Sequence, residues 1–211
     1  ILLIGTLHAA DTPRTVLCFG DSITAGKQPA GMKSGDCWVD RLQTLSNGRF
    51  HCVNEGRGGR PANSVSEFKT ALERNPRFDV LILALGANDA RDDGKEGAKL
   101  AARVKANLAE MIALARKAQP NAAILLTGQY NINVAALKKN ADLGPQREAN
   151  LKAILAQVET LAQEQKTLFV NLYGVVPPET MTADGVHPDA AGHEKIAQKL
   201  WPVLEPLAKA K

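Results

Sequence analysis

Asp79-Val80-Leu81-Ile82-Leu83-Ala84-Leu85 is an unbroken apolar run behind a single aspartate, closed by Gly86. It is far too short to cross a bilayer and lacks the alternation of a half-exposed strand. A run of this kind reads as a strand covered on both faces, inside a parallel sheet with helices above and below. Four further short apolar runs fit the same sheet: 15–19 ending at Gly20, 50–53, 122–127 and 167–171. The segments between them carry helical spacing. Residues 36–45 place Trp38, Leu42 and Leu45 on one stripe, and 63–74 place Val65, Phe68 and Leu72. The long segment 95–117 has Leu100, Val104, Leu108, Met111 and Leu114, with Pro120 beyond its end. Residues 146–165 have Leu151, Ile154, Leu155, Val158 and Leu161, and 190–207 close the chain with a kink expected at Pro202. Strand and helix alternating five times give an α/β architecture, a five-stranded parallel sheet in three α/β/α layers. The wide linkers 24–35, 129–145 and 173–189 all follow a strand or its turn. In such sheets ligands bind beyond the carboxyl ends of the strands.

With 211 residues the chain has ample length for one core, and residues 11–211 are expected to form a single domain. The net charge of +4 is spread out, with no basic run of five, and aromatic residues make up only 4%. Both facts argue against a nucleic-acid surface, which needs basic clusters and often stacking platforms. No apolar stretch reaches the roughly 18 residues of a transmembrane helix, so no membrane insertion is expected. Cys18, Cys37 and Cys52 form no C-x-x-C and no zinc-type spacing, and an odd number leaves at least one thiol unpaired within the chain. Cys37 and Cys52 remain open as a pair; Cys18 and Cys52 sit in apolar runs as small hydrophobes. Residues 1–10 begin apolar and pass through His8-Ala9-Ala10 to polar Asp11-Thr12-Pro13. They read as the tail of a signal peptide, with an extra edge strand as the competing reading. On the first reading the protein is secreted or periplasmic.

Four short segments carry chemistry. The first apolar run passes into Gly20-Asp21-Ser22, where a strand-to-helix turn can expose a hydroxyl and backbone N–H groups can hold an oxyanion; Asp21 or Ser22 as a plain helix cap is the alternative. After the second run comes Asn54-Glu55-Gly56-Arg57-Gly58-Gly59-Arg60. It is neither a dinucleotide fingerprint nor a P-loop, because Pro61 stands where a closing glycine would be and no Gly-Lys-Ser/Thr follows. After the third comes Gly86-Ala87-Asn88-Asp89, whose uncharged amide can donate to an oxyanion or form an Asx turn. Near the end, Asp184-Gly185-Val186-His187-Pro188 spaces a carboxylate three residues before an imidazole. A tight turn there lets Asp184 accept from His187 Nδ1–H and leaves Nε2 facing a nucleophile. A metal reading would add Asp189 and His193, but His193 falls within the last helical pattern and no H-E-x-x-H occurs.

Taken in order, Gly20-Asp21-Ser22, Asn54 with Gly59, Gly86-Ala87-Asn88-Asp89 and Asp184-x-x-His187 resemble the SGNH branch of the GDSL hydrolase family. The resemblance covers about residues 14–207 and implies the flavodoxin-like SGNH hydrolase fold. It implies Ser22 as nucleophile, His187 as base and Asp184 as its orienter. It implies an oxyanion hole built from the Ser22 and Gly59 N–H groups and the Asn88 amide, with Asp21 and Asp89 bracing the loops. It implies no metal and no other cofactor. Family members cleave many esters, and some cleave thioesters or amides. Here Arg57 and Arg60 flank the glycines, and Gln129-Tyr130-Asn131-Ile132-Asn133 follows the fourth strand, so Arg60, Gln129 and Asn131 are the candidate substrate contacts. This polar set is similar to that of secreted members that remove acetyl groups from carbohydrates, and a small-molecule or carbohydrate ester is the expected substrate. Lipase-like or acyl-thioesterase activity, or a non-catalytic anion- or carbohydrate-binding module, are the alternatives. The presence of both Ser22 and the Asp184/His187 pair argues against mere binding, which needs no base.

Overall fold

The computed structural model describes residues 12–26, 32–91, 97–137 and 143–209. Five strands, β1 (Arg14–Gly20), β2 (Phe50–Gly56), β3 (Val80–Ala84), β4 (Ala123–Thr127) and β5 (Leu168–Val170), pair in parallel in the order β2-β1-β3-β4-β5. The expected three-layer α/β/α sheet is therefore present. Among the described residues, six α-helices connect the strands or follow the last one: α1 (Ser22–Ala25), α2 (Trp38–Leu45), α3 (Val65–Arg74), α4 (Gly97–Ala118), α5 (Gly144–Gln165) and α6 (Ala190–Lys209).

Strand order decides which face each helix takes. From β1 to β2 the chain steps one way across the sheet; from β2 through β3 and β4 to β5 it steps the other way. Parallel crossovers are almost always right-handed, so reversing the direction reverses the face. Accordingly α3, α4 and α5 pack on Leu17, Phe19, Leu81, Leu83, Ile124 and Leu126. On the opposite face α2 and α6 cover Val16, Cys18, Val80, Ile82, Leu125 and Val170. Alternate residues of each strand go to opposite cores, which is the period-two geometry of a pleated strand. In β3 both sets are apolar, and the strand is buried throughout.

The two halves part between β1 and β3, where the strand order switches. Gly20 is in register with Ala84 of β3 and Gly56 of β2, so three carboxyl ends finish level. Their outgoing segments diverge to opposite faces and leave a crevice, the usual ligand position in open α/β sheets.

Several boundaries differ from those expected. The second strand runs on to Gly56, through polar Asn54 and Glu55. As an edge strand it has a ladder partner on one side only, and backbone pairing with Cys18, Phe19 and Gly20 carries it past the apolar residues. The four-residue α1 is too short to show a periodicity. Helix α6 continues through both Pro202 and Pro206 to Lys209. Cys18, Cys37 and Cys52 are all free thiols, so no Cys37–Cys52 disulfide forms. Residues 1–10, read above as a signal remnant, lie outside the described residues.

Candidate active site

Ser22 opens α1 directly after β1. Asp21 is its N-cap, with Oδ1 accepting from the Ile23 N–H at 2.9 Å. The capping reading and the exposed-hydroxyl reading of Gly20-Asp21-Ser22 are thus both satisfied, by different residues. Ser22 is only half-buried, and as the first helical residue its N–H has no acceptor within the helix. The turn depends on a close approach from β2. A Cβ on Gly56 would stand 2.1 Å from the Ala25 nitrogen and 2.6 Å from the Thr24 carbonyl carbon, both rigid backbone. Only glycine lets the end of β2 lie against α1.

The loop after β2 brings Gly59 alongside. Gly59 is exposed and has φ of +71°, a left-handed conformation that glycine adopts without strain. Arg60 next to it is buried. Its guanidinium donates to the Gly20 carbonyl at 2.7 Å, to the Glu55 carbonyl and to Glu67 Oε2 at 3.1 Å, and lies 4.1 Å from the centre of the Phe19 ring. The loop is further tied down because the Arg57 N–H donates to the Gly20 carbonyl at 3.1 Å. Asn54 Nδ2 donates to the Thr24 carbonyl at 2.8 Å, while its Oδ1 accepts the Gly56 N–H at 2.9 Å.

Asn88 follows β3. Its Nδ2 donates to the Arg60 carbonyl at 3.2 Å and approaches Asp21 Oδ2 at 3.5 Å. The amide therefore stands between the residue after Gly59 and the residue before Ser22. Asp89 fixes the same junction by accepting the Ala62 N–H with both oxygens, at 2.9 and 3.2 Å. Asp21 and Asp89 brace the loops as expected. Burial pushes the Asp21 carboxyl up to about 6, against hydrogen bonding from Ile23 and the attraction of His187.

The fourth segment is a tight loop before α6. Thr182 N–H donates to the His187 carbonyl at 2.9 Å, and Gly185 N–H to the Thr182 carbonyl at 3.0 Å. Inside the loop Asp184 Oδ1 accepts from Thr182 Oγ1, the Val186 N–H and the His187 N–H at 2.8 to 2.9 Å. Its other oxygen, Oδ2, lies 2.6 Å from His187 Nδ1, and His187 Nε2 lies 2.8 Å from Ser22 Oγ. Partial burial pulls the Asp184 carboxyl up, but the hydrogen bonds from His187, Val186 and Thr182 outweigh it and hold it at about 2. A permanently ionised carboxylate thus holds Nδ1–H, and the second ring nitrogen is left to accept from the hydroxyl. Such a chain can take a proton from Ser22 as the oxygen attacks a carbonyl and return it to a leaving group.

The structure thus brings Ser22, Asp184, His187, Gly59 and Asn88 to one crevice. The candidate substrate contacts fare differently. Arg60 is committed to backbone carbonyls and Glu67, as above. Gln129 is buried, with Nε2 donating to the Leu85 carbonyl at 2.8 Å. Asn131 donates to the Val176 carbonyl at 2.7 Å and accepts the Gly174 N–H at 3.0 Å. All three hold the loops around the crevice together. His193 is buried in the α2–α6 core and accepts the Trp38 N–H at Nδ1, 3.3 Å away. The sequence reading passed over Arg147, on the first turns of α5. Nothing local distinguishes it from any other basic residue at a helix start.

Residues 18–195 match the model of the GDSL-like lipase/acylhydrolase family. The chain is 28% identical to the esterase TesA of Pseudomonas aeruginosa over 212 aligned positions, covering 98% of this chain and 94% of that one. It is 29% identical to a GDSL lipase of Mycobacterium tuberculosis over 200 positions, covering 90% and 80%. Among solved structures, a carbohydrate acetylesterase family member from Sinorhizobium meliloti superposes with a TM-score of 0.79 at 22% identity, covering 93% of this chain and all of that one. A TesA crystal structure gives 0.71 at 26%, covering 92% and 99%. With the Gly20-Asp21-Ser22 turn, the Asn88 turn and the Asp184/His187 loop arranged on this sheet, the chain belongs to the GDSL-like lipase/acylhydrolase family.

Proposed function

We propose that the protein is a serine esterase that hydrolyses short-acyl esters, with acetyl groups on carbohydrate or similar small esters as substrate. The observation that carries this reading is the unbroken line of hydrogen bonds from Asp184 through His187 to Ser22 Oγ. Ser22 attacks the ester carbonyl and gives its proton to His187 Nε2. Asp184 stabilises the imidazolium and keeps the ring in place. The negative charge that develops on the carbonyl oxygen is met by the Ser22 and Gly59 N–H groups and by the Asn88 amide, which keeps its bond to the Arg60 carbonyl and turns its other N–H from the long 3.5 Å contact with Asp21 Oδ2. His187 then protonates the departing alcohol, and water repeats the cycle on the acyl-enzyme. Metal plays no part in these steps.

The polar rim supports a short acyl group: Arg57, Gly58 and Gly59 are exposed in the loop after β2, and Arg91 is exposed in the turn after Asn88. A long acyl chain gains about 0.8 kcal/mol per CH₂ only where apolar surface receives it. Likeness to the Sinorhizobium meliloti fold points the same way. Reading residues 1–10 as a signal remnant places this activity outside the cytoplasm.

The test is hydrolysis of a chromogenic acetyl ester, labelling by a serine-directed phosphonate, and the Ser22→Ala variant. Ser22→Ala is expected to lose on the order of 10⁶ in kcat with its fold intact. A variant that keeps a few per cent of the wild-type rate would remove Ser22 from the mechanism. Profiling acyl length with one leaving group is expected to peak at acetate and fall beyond four carbons. A rise towards octanoate would favour the lipase-like or thioesterase alternative.

A further inference from the structure

Arg147 lies where two parts of the crevice meet. On one side α5 packs on the 3-10 turn Asp89–Arg91 that follows Asn88, and Asn150 Nδ2 donates to the Ala90 carbonyl at 3.2 Å. On the other, the start of α5 packs on the turn Val134–Ala136. That turn is joined to the histidine loop by the Asn133 N–H, which donates to the Gly185 carbonyl at 2.8 Å. Arg147 lies one helical turn from Gly144, which packs on Val134 and Leu137, and one turn from Asn150, so it shares the α5 face that lies between the Asn88 turn and the turn joined to the Asp184–His187 loop.

Its chemistry there is unusual. The Arg147 side chain is half-buried; its Nε is covered and has no hydrogen-bond partner, although buried polar atoms are normally paired. The nearby acids do not pair it. Asp184 has committed its oxygens to Thr182, Val186 and His187, and Asp21 to the Ile23 N–H and the Asn88 amide. A second guanidinium, Arg91, adds to the positive charge. Burial, followed by Arg91, lowers the Arg147 pKa, and Asp184 and Asp21 pull it back; the group nevertheless stays charged at any working pH.

We propose that Arg147 is a specificity-determining residue that receives an anionic group, a carboxylate or an equivalent oxyanion, carried by the ester substrate. The inference rests on the esterase reading above. A planar fork of donors matches a carboxylate in two-point contact, and a site closed on two sides by loops gives that contact direction. The leaving alcohol and the acyl group are the two places where the anion can sit.

Two matched ester pairs decide it, measured with the full-length protein. In 3-acetoxybenzoate against methyl 3-acetoxybenzoate the charge is on the alcohol side. In 4-nitrophenyl hemisuccinate against 4-nitrophenyl methyl succinate it is on the acyl side. The quantity read is the ratio of kcat/KM for the anionic ester to that for its neutral twin. Arg147→Gln is expected to lower this ratio about ten- to hundredfold in one pair, the range of one charge-assisted hydrogen bond, with the change mainly in KM. Arg147→Lys is expected to keep part of it, and added salt to erode it. Arg116→Gln, beside Gln165 at the other end of the sheet, is expected to leave it unchanged. The responding pair tells which side of the ester carries the anion. Ratios unchanged by Arg147→Gln in both pairs overturn the inference while leaving the esterase reading intact.

Failure of the protein to hydrolyse any of the four esters counts against the esterase reading instead. Calorimetric titration of the Ser22→Ala protein with 3-hydroxybenzoate and with succinate then decides the anion site alone. At least tenfold weaker binding of one of them when Arg147→Gln is added supports it. No binding, or equal binding with and without Arg147, overturns it.

Discussion

Ser22 and His187 meet although 165 positions separate them in the chain. Their partner Asp184 is only three residues from the histidine, so that half of the site is a local turn and the other half is a product of the sheet. This difference sets what each substitution does. Asp184→Asn keeps the size of the side chain but presents an amide to His187, which favours the wrong tautomer. In the proposed mechanism kcat falls by about 10⁴, with little change in KM. Steady-state kinetics on an acetyl ester check this; an unchanged kcat would leave Asp184 a turn-former only. Asn88→Ala removes a donor that acts where charge develops, and the expected loss is about 3–4 kcal/mol in the barrier, again in kcat. Normal kcat would reduce Asn88 to a brace between Arg60 and Asp21.

At the scale of elements, the same loop holds two arginines with opposite duties. Arg57 and Arg60 both reach Glu67, but the Arg57 side chain is 47% exposed and that of Arg60 only 5%. Arg57→Met removes a solvated ion pair and is expected to cost under about 1 kcal/mol. Arg60→Met leaves the Gly20 and Glu55 carbonyls without their donor and Glu67 with one partner fewer. A loss of about 2–4 kcal/mol is expected, and lysine should not restore it because it lacks the fork. Denaturant midpoints of the three variants decide; equal losses would show that burial does not separate the pair. This contrast also marks what the sequence can and cannot tell. The strands were legible in runs such as 79–85 because a strand buried on both faces has nowhere to put a polar residue. Gly20-Asp21-Ser22 and Asp184-x-x-His187 were legible because a turn fixes their geometry within a few residues. Arg60, Gln129 and Asn131 misled because their partners, Gly20, Leu85 and Val176, come from other elements, and a polar side chain in a loop does not announce whether it faces substrate or backbone. The end of β2 was hidden for a related reason: Asn54 and Glu55 look like loop residues, and only pairing with β1 makes them strand.

For the whole molecule, the two cores on either side of the sheet each need their polar groups kept in one charge state, and two buried groups answer acid in opposite ways. Asp21 is raised from 3.8 to about 6 chiefly by burial. Between those values the folded chain holds a proton that the unfolded chain has released, so Asp21 contributes stability as pH falls from about 6 to 4. His193 is lowered from 6.5 to about 4, by burial first and then by Arg41, and its Nδ1 must stay unprotonated to accept the Trp38 N–H. Across nearly the same window the unfolded chain takes up a proton that the folded chain refuses, so His193 withdraws stability as pH falls. Each shift is worth up to about 3 kcal/mol, and the signs oppose, so in the wild-type protein the two slopes largely cancel. Single variants uncover them. Relative to wild type, Asp21→Asn retains a cap acceptor and is expected to gain stability at pH 8, a gain that shrinks as pH drops through 6 and is gone below 4. His193→Gln is expected to show a deficit at pH 8 that shrinks between pH 6.5 and 4, because the wild type then loses what the variant already lacks. Urea unfolding of the three proteins at pH 4, 5, 6 and 8 measures both differences. A pH-independent offset for Asp21→Asn would mean that the carboxyl is ionised in the fold at little cost, with the Ile23 N–H, the Asn88 amide and His187 compensating its burial in full.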